Sequence, residues 1–262
     1  MELELIKQVP VSEQHPTPIL FVHGMWHAAW CWAEHFLPYF SDRGYKSYAL
    51  SLRGHGDSEG RDRLRWTTLA EYVSDVKQMA GRMERPPVLV GHSMGGMIIQ
   101  KYLEEHEAAA GVLLASAPPK GVFAATIRVF LRHPVAFLKA NLTLSMYPVV
   151  GTEPLAKEAF FSRDMSEEKA NRYFEQLQDE SYRAYLDMLG LNLPRPKKVK
   201  TPMLVMGAGQ DTIISRKEVE ITARTYGTEA EIFPHTAHDM MLDRDWETVA
   251  ERINEWLKER GL

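Results

Sequence analysis

The chain has 262 residues, of which 45% are hydrophobic and 25% charged, and its formal net charge is -4. This composition is typical of a globular protein and excludes a disordered, collagen-like or membrane-spanning chain. A chain with net negative charge and no basic cluster is not expected to bind nucleic acid.

Neither a disulfide nor an export signal is expected. The single cysteine, Cys31, has no partner for an internal bond, which is typical of a reducing compartment. Residues 1–7 contain acidic side chains where a secretory signal has basic ones. The most apolar region, residues 121–150, is interrupted by charged residues and prolines, so it does not reach the ~18 residues of a membrane helix. We therefore expect a cytoplasmic protein with no integral membrane association.

The predicted elements alternate between strands and helices. Short runs of β-branched and aliphatic residues predict buried strands at residues 19–22, 48–52, 88–90, 112–115, 203–206 and 231–233. A capping box of Thr68 and Glu71 precedes apolar residues at helical spacing up to Met83, and further helices are predicted from Ser215 and over residues 246–260. This alternation predicts an α/β fold in which a mostly parallel sheet carries helices on both faces.

One predicted strand ends in an unusual turn. Residues 88–90 run into Gly91-His92-Ser93-Met94-Gly95, and a helical stretch follows. This is the Gly-x-Ser-x-Gly pattern in its strand-turn-helix setting, where small flanking residues let a serine occupy a sharp turn. The hydroxyl then lies beside helix N–H groups that stabilise an anion. Ser93 is predicted to be a nucleophile; the alternative is a glycine-rich turn that happens to contain a serine.

A serine nucleophile needs a base, and the base needs a group that orients it. His238 follows the last predicted strand in "PHTAHDMMLD", where a loop can fold back over the sheet, and its rival His235 lies closer to the strand. Asp211 is the only carboxylate in "GAGQDTIIS", although it could instead support the turn or the next helix. Asp239 and Asp243 are weaker candidates because they follow the base directly. The predicted pair is His238 as base and Asp211 as its orienting acid.

An oxyanion hole needs two backbone N–H groups directed at the developing charge. Met94, directly after the serine, is predicted to supply one of them. The other is predicted from Met25 in the loop "HGMWHAAW", where Gly24 lets the chain turn. Trp26 is the alternative second donor, or a wall of the pocket.

The alternation stops after residues 118–119, and a long stretch without a clear strand follows. Such a stretch exceeds the length of a plain loop, and its apolar residues recur at helical spacing. We predict a helical lid over residues 118–197, inserted into a core of residues 1–117 and 198–262. The substrate pocket is predicted to be lined by Trp26 and by Phe123, Phe130 and Met146 of the lid.

Two further patterns suggest binding sites. His23 with His27, and His235 with His238, have the spacing of metal ligands, but no partnering cysteine or third ligand cluster accompanies them, so no metal is expected. The basic residues of the insertion could contact an anionic membrane surface, although a lid with a solvated basic face is favoured. These basic residues are Arg128, Arg132 and Lys139.

The stretches "FVHGMW", "SLRGHGDSEG", "GHSMGG", "GAGQD" and "TAHD" resemble, in order and separation, those of the α/β-hydrolase superfamily. The resemblance covers nearly the whole chain and is weakest in residues 118–197. It implies a Ser, Asp, His triad in that chain order, a lid inserted after the sixth strand, and acyl-ester chemistry without a cofactor. Residues 1–16 leave room for one or two strands, so a sheet of seven or eight strands is expected.

These features predict a serine hydrolase that cleaves carboxylic esters with an apolar acyl or alcohol group, and that acts on a small-molecule substrate as a monomer or homodimer. Because fold and triad do not determine the chemistry, the same residues could instead serve C–C bond hydrolysis, perhydrolysis or hydroxynitrile cleavage. The other alternative is a hydrolase-like protein that binds a ligand with slow or incidental turnover.

Overall fold

Seven strands form a single sheet in the computed structural model, which describes residues 1–12 and 14–262. The strands are β1 (Leu5–Gln8), β2 (His15–Val22), β3 (Tyr45–Leu50), β4 (Val88–His92), β5 (Ala110–Leu114), β6 (Met203–Ala208) and β7 (Ala230–Phe233). Their order is β1-β3-β2-β4-β5-β6-β7, with β1 antiparallel to β3 and every other pair parallel. The predicted mostly parallel sheet is confirmed, with seven strands.

Helices occupy most of the connections between the strands. In the described residues the α-helices are α1 (Trp30–Ala33), α2 (Phe36–Asp42), α3 (Leu69–Ala80), α4 (Met94–Tyr102), α5 (Phe123–Arg132), α6 (Pro134–Thr143), α7 (Glu153–Phe160), α8 (Glu167–Phe174), α9 (Tyr182–Leu186), α10 (Arg216–Thr225) and α11 (Trp246–Lys258). Short 3-10 helices lie at Arg61–Trp66, Tyr147–Val149 and Pro196–Lys198, and a π-helical turn at Asp187–Leu191. No helix of this described part combines the length and the apolar character that crossing a bilayer requires.

Two predicted helix starts are confirmed. The Thr68 side chain accepts a hydrogen bond from the amide of Glu71, whose carboxylate accepts one from the amide of Thr68, and α3 begins at the next residue. Ser215 and Glu218 form the same reciprocal capping box before α10. Because these boxes satisfy amides that the first helical turn leaves without partners, both boundaries are readable from the sequence.

The helices cover both faces of the sheet. Crossovers between parallel strands are right-handed almost without exception. In the sheet β3 lies on one side of β2 and β4 lies on the other side, so the connections β2–β3 and β3–β4 cross the sheet in opposite directions. The helices in these connections, α2 and α3, therefore lie on opposite faces; α2 packs with α11, and α3 packs with α4. Because these strands are covered on both sides, their side chains are apolar in continuous runs. Residues 19–22 and 88–90 are accordingly inaccessible to solvent.

The segment between β5 and β6 contains α5 to α9 and no strand among its residues, all of which are described. It follows the fifth strand in chain order rather than the sixth, because a single strand precedes β2. Its last part is anchored by two buried carboxylates: Asp187 accepts a hydrogen bond from the amide of Leu69 (3.0 Å), and Glu180 accepts one from the hydroxyl of Tyr72 (2.6 Å). The division into core and lid at residues 118 and 197 stays a prediction.

Candidate active site

Ser93 lies in the sharp turn between β4 and α4, with φ 52° and ψ -116°. This is a conformation that residues with a Cβ rarely adopt, so the surrounding packing must hold it in place. The turn is packed tightly against β2, since a Cβ on Gly95 would lie 2.3 Å from the carbonyl oxygen of Val22. The serine is half-buried rather than enclosed, and it marks the start of α4. The predicted strand-turn-helix setting is therefore present.

The structure brings Asp211 and His238 together. Asp211 follows β6 and His238 follows β7, and the imidazole Nδ1–H donates to Asp211 Oδ2 at 2.7 Å with both side chains buried. The other oxygen, Oδ1, accepts hydrogen bonds from the amides of Ile213 (2.7 Å) and Ile214 (2.8 Å). One oxygen thus orients the imidazole while the other supports the loop, so the two roles considered for this carboxylate coexist.

The other candidate groups have different partners. His235 is exposed, and its carbonyl oxygen accepts a hydrogen bond from Gln210. Asp243 accepts hydrogen bonds from the hydroxyl of Ser162 and the amide of Ala237, both at 2.6 Å, and burial raises the pKa of its carboxyl. Asp243 therefore holds the loop that leads to His238 and is not paired with an imidazole.

His92, which directly precedes Ser93, forms a hydrogen bond with the backbone of His238. The two rings meet edge to face with their centroids 4.7 Å apart, and His92 Nε2–H donates to the carbonyl oxygen of His238 at 3.0 Å. Burial lowers the pKa of His92 to about 3, so the ring is neutral. The hydroxyl of Ser93 makes no hydrogen bond within the described residues, a common state before substrate tightens such contacts.

The pKa of His238 is set by opposing effects. Burial lowers it, but the negative charge of Asp211, the hydrogen bond to that carboxylate and the charge of Asp239 together raise it above the ordinary 6.5. An imidazole with such a pKa is neutral only at higher pH, and it holds a proton firmly once it has accepted one.

We therefore expect kcat/KM to fall as the pH drops through the pKa of His238, with a midpoint above 6.5. Asp211→Asn removes the charge that raises this pKa, so the midpoint should move to lower pH while kcat falls by at least about a hundredfold. Rates of ester hydrolysis between about pH 5 and 9 measure both effects. Asp57→Asn, which changes an exposed carboxylate, is the control and should leave the profile unchanged. An unmoved midpoint in Asp211→Asn would contradict the assignment.

The loop after β2 lies directly against the serine. A Cβ on Gly24 would lie 3.0 Å from Ser93 Cβ, so only glycine allows this approach. The amides of Met25, Trp26 and Met94 donate to no acceptor in residues 1–12 or 14–262. All three predicted N–H candidates are thus free to bind an oxyanion, and the choice between Met25 and Trp26 stays open.

Two buried histidines orient the peptide groups of this loop. His23 Nδ1–H donates to the carbonyl of Gly24 (2.8 Å), which belongs to the same peptide group as the Met25 N–H. His23 Nε2 accepts from the amide of Leu52 (3.0 Å), and burial holds the pKa of His23 well below its ordinary value. In the same way, His27 Nδ1–H donates to the carbonyl of Met25 (2.8 Å), in the peptide group of the Trp26 N–H. A different histidine therefore orients the peptide group of each candidate donor: His23 for the Met25 N–H and His27 for the Trp26 N–H.

Asp239 joins this loop to the base. Its Oδ2 forms a hydrogen bond with His27 Nε2 at 2.9 Å, with both side chains fully buried. Burial raises the pKa of Asp239, but His27 and then His92 outweigh that effect and the pKa ends below its ordinary value, so the carboxylate is charged. Sequence reasoning missed these roles, because the only signal was the spacing of His23 and His27, which suggested a metal. Within the described residues no group of three His, Cys, Asp or Glu could hold a metal ion.

An apolar cavity of about 70 Å³ opens above Ser93. Met25, Trp26 and Met94 line it from the core, and Val129, Phe137 and Met146 line it from the inserted segment. The Trp26 indole N–H also donates to the carbonyl of Met146 at 3.2 Å, which links the two parts. Trp26 and Met146, two of the predicted pocket residues, thus line this cavity.

Phe123 and Phe130 lie outside this cavity, contrary to expectation. They are 64% and 40% exposed, whereas Ala125 and Val129 of the same helix line the cavity. Residues three or four apart share a helix face, so Val122, Ala125 and Val129 point one way and Phe123 the other. The expected lining is corrected accordingly: the small residues of α5, not its phenylalanines, face Ser93.

Comparison with known proteins places the chain in a family. It matches the model of the alpha/beta hydrolase family over residues 19–252. The chain belongs to this family. A monoacylglycerol lipase of Mycolicibacterium smegmatis is 25% identical over 239 residues, which is 86% of this chain and 82% of that protein. The crystal structure of the Paleococcus ferrophilus monoacylglycerol lipase superposes with a TM-score of 0.72 at 20% identity, covering 98% of both chains. It shares the fold.

A further relative is similar over a shorter stretch. Protein phosphatase methylesterase 1 of Bos taurus is 39% identical over 83 residues, which is 30% of this chain and 22% of that protein. The chain thus spans about a fifth of the length of this relative.

Proposed function

We propose that the protein is a serine hydrolase that cleaves carboxylic esters with an apolar acyl or alcohol group. The observation that carries the proposal is the strained turn of Ser93, which lines an apolar cavity and follows His92, whose ring packs against His238, the partner of Asp211. Relatives named as a lipase and a methylesterase support ester hydrolysis as the reaction class. Residues 118–197 serve as a lid over a core of residues 1–117 and 198–262.

In the proposed mechanism Ser93 attacks the acyl carbonyl while His238 Nε2 accepts its proton. Asp211 holds the imidazole in the required tautomer and stabilises the positive charge that forms. The N–H of Met94, with that of Met25 or Trp26, binds the oxyanion. His238 then protonates the leaving alcohol, and water repeats both steps on the acyl-enzyme to release the acid. No cofactor takes part.

The cavity lining supports an apolar acyl group, so the rate should depend on chain length. Each buried methylene contributes up to ~0.8 kcal/mol, or roughly fourfold, so kcat/KM should rise from p-nitrophenyl acetate to an optimum at about four to ten carbons. Ala125→Phe, which fills the cavity, should shift the optimum to shorter chains. Its neighbour Ala124 is exposed, so Ala124→Phe is the matched control and should leave the optimum in place. A steady fall from acetate to octanoate would contradict an apolar acyl site.

A substrate panel tests the reaction class. We expect turnover of simple esters in a set that also contains lactones, amides, diketones and cyanohydrins. Cleavage of diketones or cyanohydrins without ester hydrolysis would instead favour a different reaction on the same residues. A ligand-dependent thermal shift without turnover of any compound would favour a binding protein.

A further inference from the structure

A second apolar surface lies on the outside of α5 and α6, away from the cavity. Six large apolar side chains, each 42% to 85% exposed, form it: Phe123, Ile127 and Leu131 on α5, and Val135, Leu138 and Leu142 on α6. We call these six residues the outer face. They recur every three or four residues and so form one stripe along each helix. Soluble chains rarely expose neighbouring apolar side chains on this scale unless the surface contacts something.

The outer face and the cavity share one helix. Ala125 and Val129 of α5 line the cavity above Ser93, while Ile127 and Leu131 lie on the exposed side of the same helix. The two surfaces are thus separated by the thickness of one helix, roughly 10 Å. Whatever covers the outer face therefore lies one helix away from the cavity at Ser93.

The segment that carries the outer face contains basic residues and no acidic ones. Residues 108–152 contain Lys120, Arg128, Arg132 and Lys139 but no Asp or Glu, although the whole chain has a net charge of -4. Arg128 donates to Glu218 and to a backbone carbonyl, and Arg132 pairs with Glu158 at 3.7 Å, so neither charge is free. Lys120 and Lys139 are exposed and form no ion pair within the described residues. A partner that combines apolar and negatively charged groups is complementary to this surface.

We propose that the outer face binds the surface of an anionic lipid aggregate, from which the ester substrate enters the cavity. The apolar side chains enter the acyl layer while Lys120 and Lys139 meet the negatively charged headgroups. A second copy of the chain is a poorer partner, because a two-fold contact sets the outer face against itself and brings the unpaired Lys139 of both copies into one interface. The role of the cavity rests on the proposed ester hydrolysis, whereas binding to lipid can be measured without turnover.

Co-sedimentation with vesicles of ether-linked lipids, which contain no ester bond, tests the proposal. We expect the full chain to bind vesicles that contain phosphatidylglycerol and to bind pure phosphatidylcholine vesicles more weakly. Leu131→Ser with Leu138→Ser and Leu142→Ser should weaken binding at least about tenfold, because three apolar contacts are lost. Lys139→Glu should remove most of the preference for phosphatidylglycerol. Hydrolysis of a water-soluble ester should stay unchanged in all these variants.

Val11→Ser and Trp66→Ser are the matched controls, since both change exposed apolar side chains outside the inserted segment. They should bind vesicles as the unmodified chain does. The proposal is overturned if the chain binds neither vesicle, if the triple variant binds as tightly as the unmodified chain, or if the controls lose binding equally. A dimer that the triple variant converts to monomers, without vesicle binding, would assign the outer face to a second copy. Absent ester turnover with normal vesicle binding would contradict the proposed function alone.

Discussion

Ser93→Ala is expected to lower kcat for ester hydrolysis by at least about three orders of magnitude while the fold persists. The hydroxyl oxygen of Ser93 forms the acyl bond in the proposed mechanism, and no other serine among the described residues lines the cavity. The activity left should be that of the oxyanion donors and of substrate binding alone. Because alanine keeps the Cβ and the hydroxyl of Ser93 makes no hydrogen bond within the described residues, thermal unfolding should change little.

A fluorophosphonate probe gives the direct measurement. Intact-mass spectrometry should show one added group on the unmodified chain and none on Ser93→Ala. Ser74→Ala, on the exposed side of α3, is the control and should be labelled fully. Complete labelling of Ser93→Ala would exclude this serine as the nucleophile.

His238→Ala should be nearly as damaging as the loss of Ser93, whereas His235→Ala should keep most of the activity. His238 is buried against Asp211 at 2.7 Å, and His235 is exposed three residues earlier in the same loop. Members of a triad act as a unit, so Ser93→Ala combined with His238→Ala should cost little more than either change alone. Steady-state ester assays of the single and double variants measure both effects.

His238→Ala leaves the buried Asp211 without its imidazole partner, so a loss of activity could come from a loss of stability. The effect of each histidine variant on stability must therefore be measured separately from its effect on catalysis. Thermal unfolding of each variant provides that control. Added imidazole should restore part of the activity of His238→Ala by occupying the vacated space, and it should not affect Ser93→Ala. Activity retained in His238→Ala and lost in His235→Ala would place the base three residues earlier.

The chain order of the candidate site could be read from local signals. Gly91 and Gly95 indicate a turn around Ser93 in which these two positions have no room for a side chain. The capping boxes before α3 and α10 indicate helix starts. Parallel strands place their carboxyl ends at one edge of the sheet, so groups that follow β4, β6 and β7 were expected to meet there. In the structure Asp211 and His238 are indeed in contact at this edge. Their catalytic roles stay predictions.

The amino-acid sequence by itself determined the α/β class, the serine turn and the ends of the strands from which the candidate groups project, because each depends on neighbouring residues and on spacing. Two features were decided by the tertiary structure alone. The contact of His27 with Asp239 joins residues 212 positions apart, and no local pattern encodes such a distance. The orientation of α5 was also undetermined, since both of its faces are apolar. Only the folded arrangement shows that Ala125 and Val129 face the cavity, whereas Phe123 and Phe130 do not.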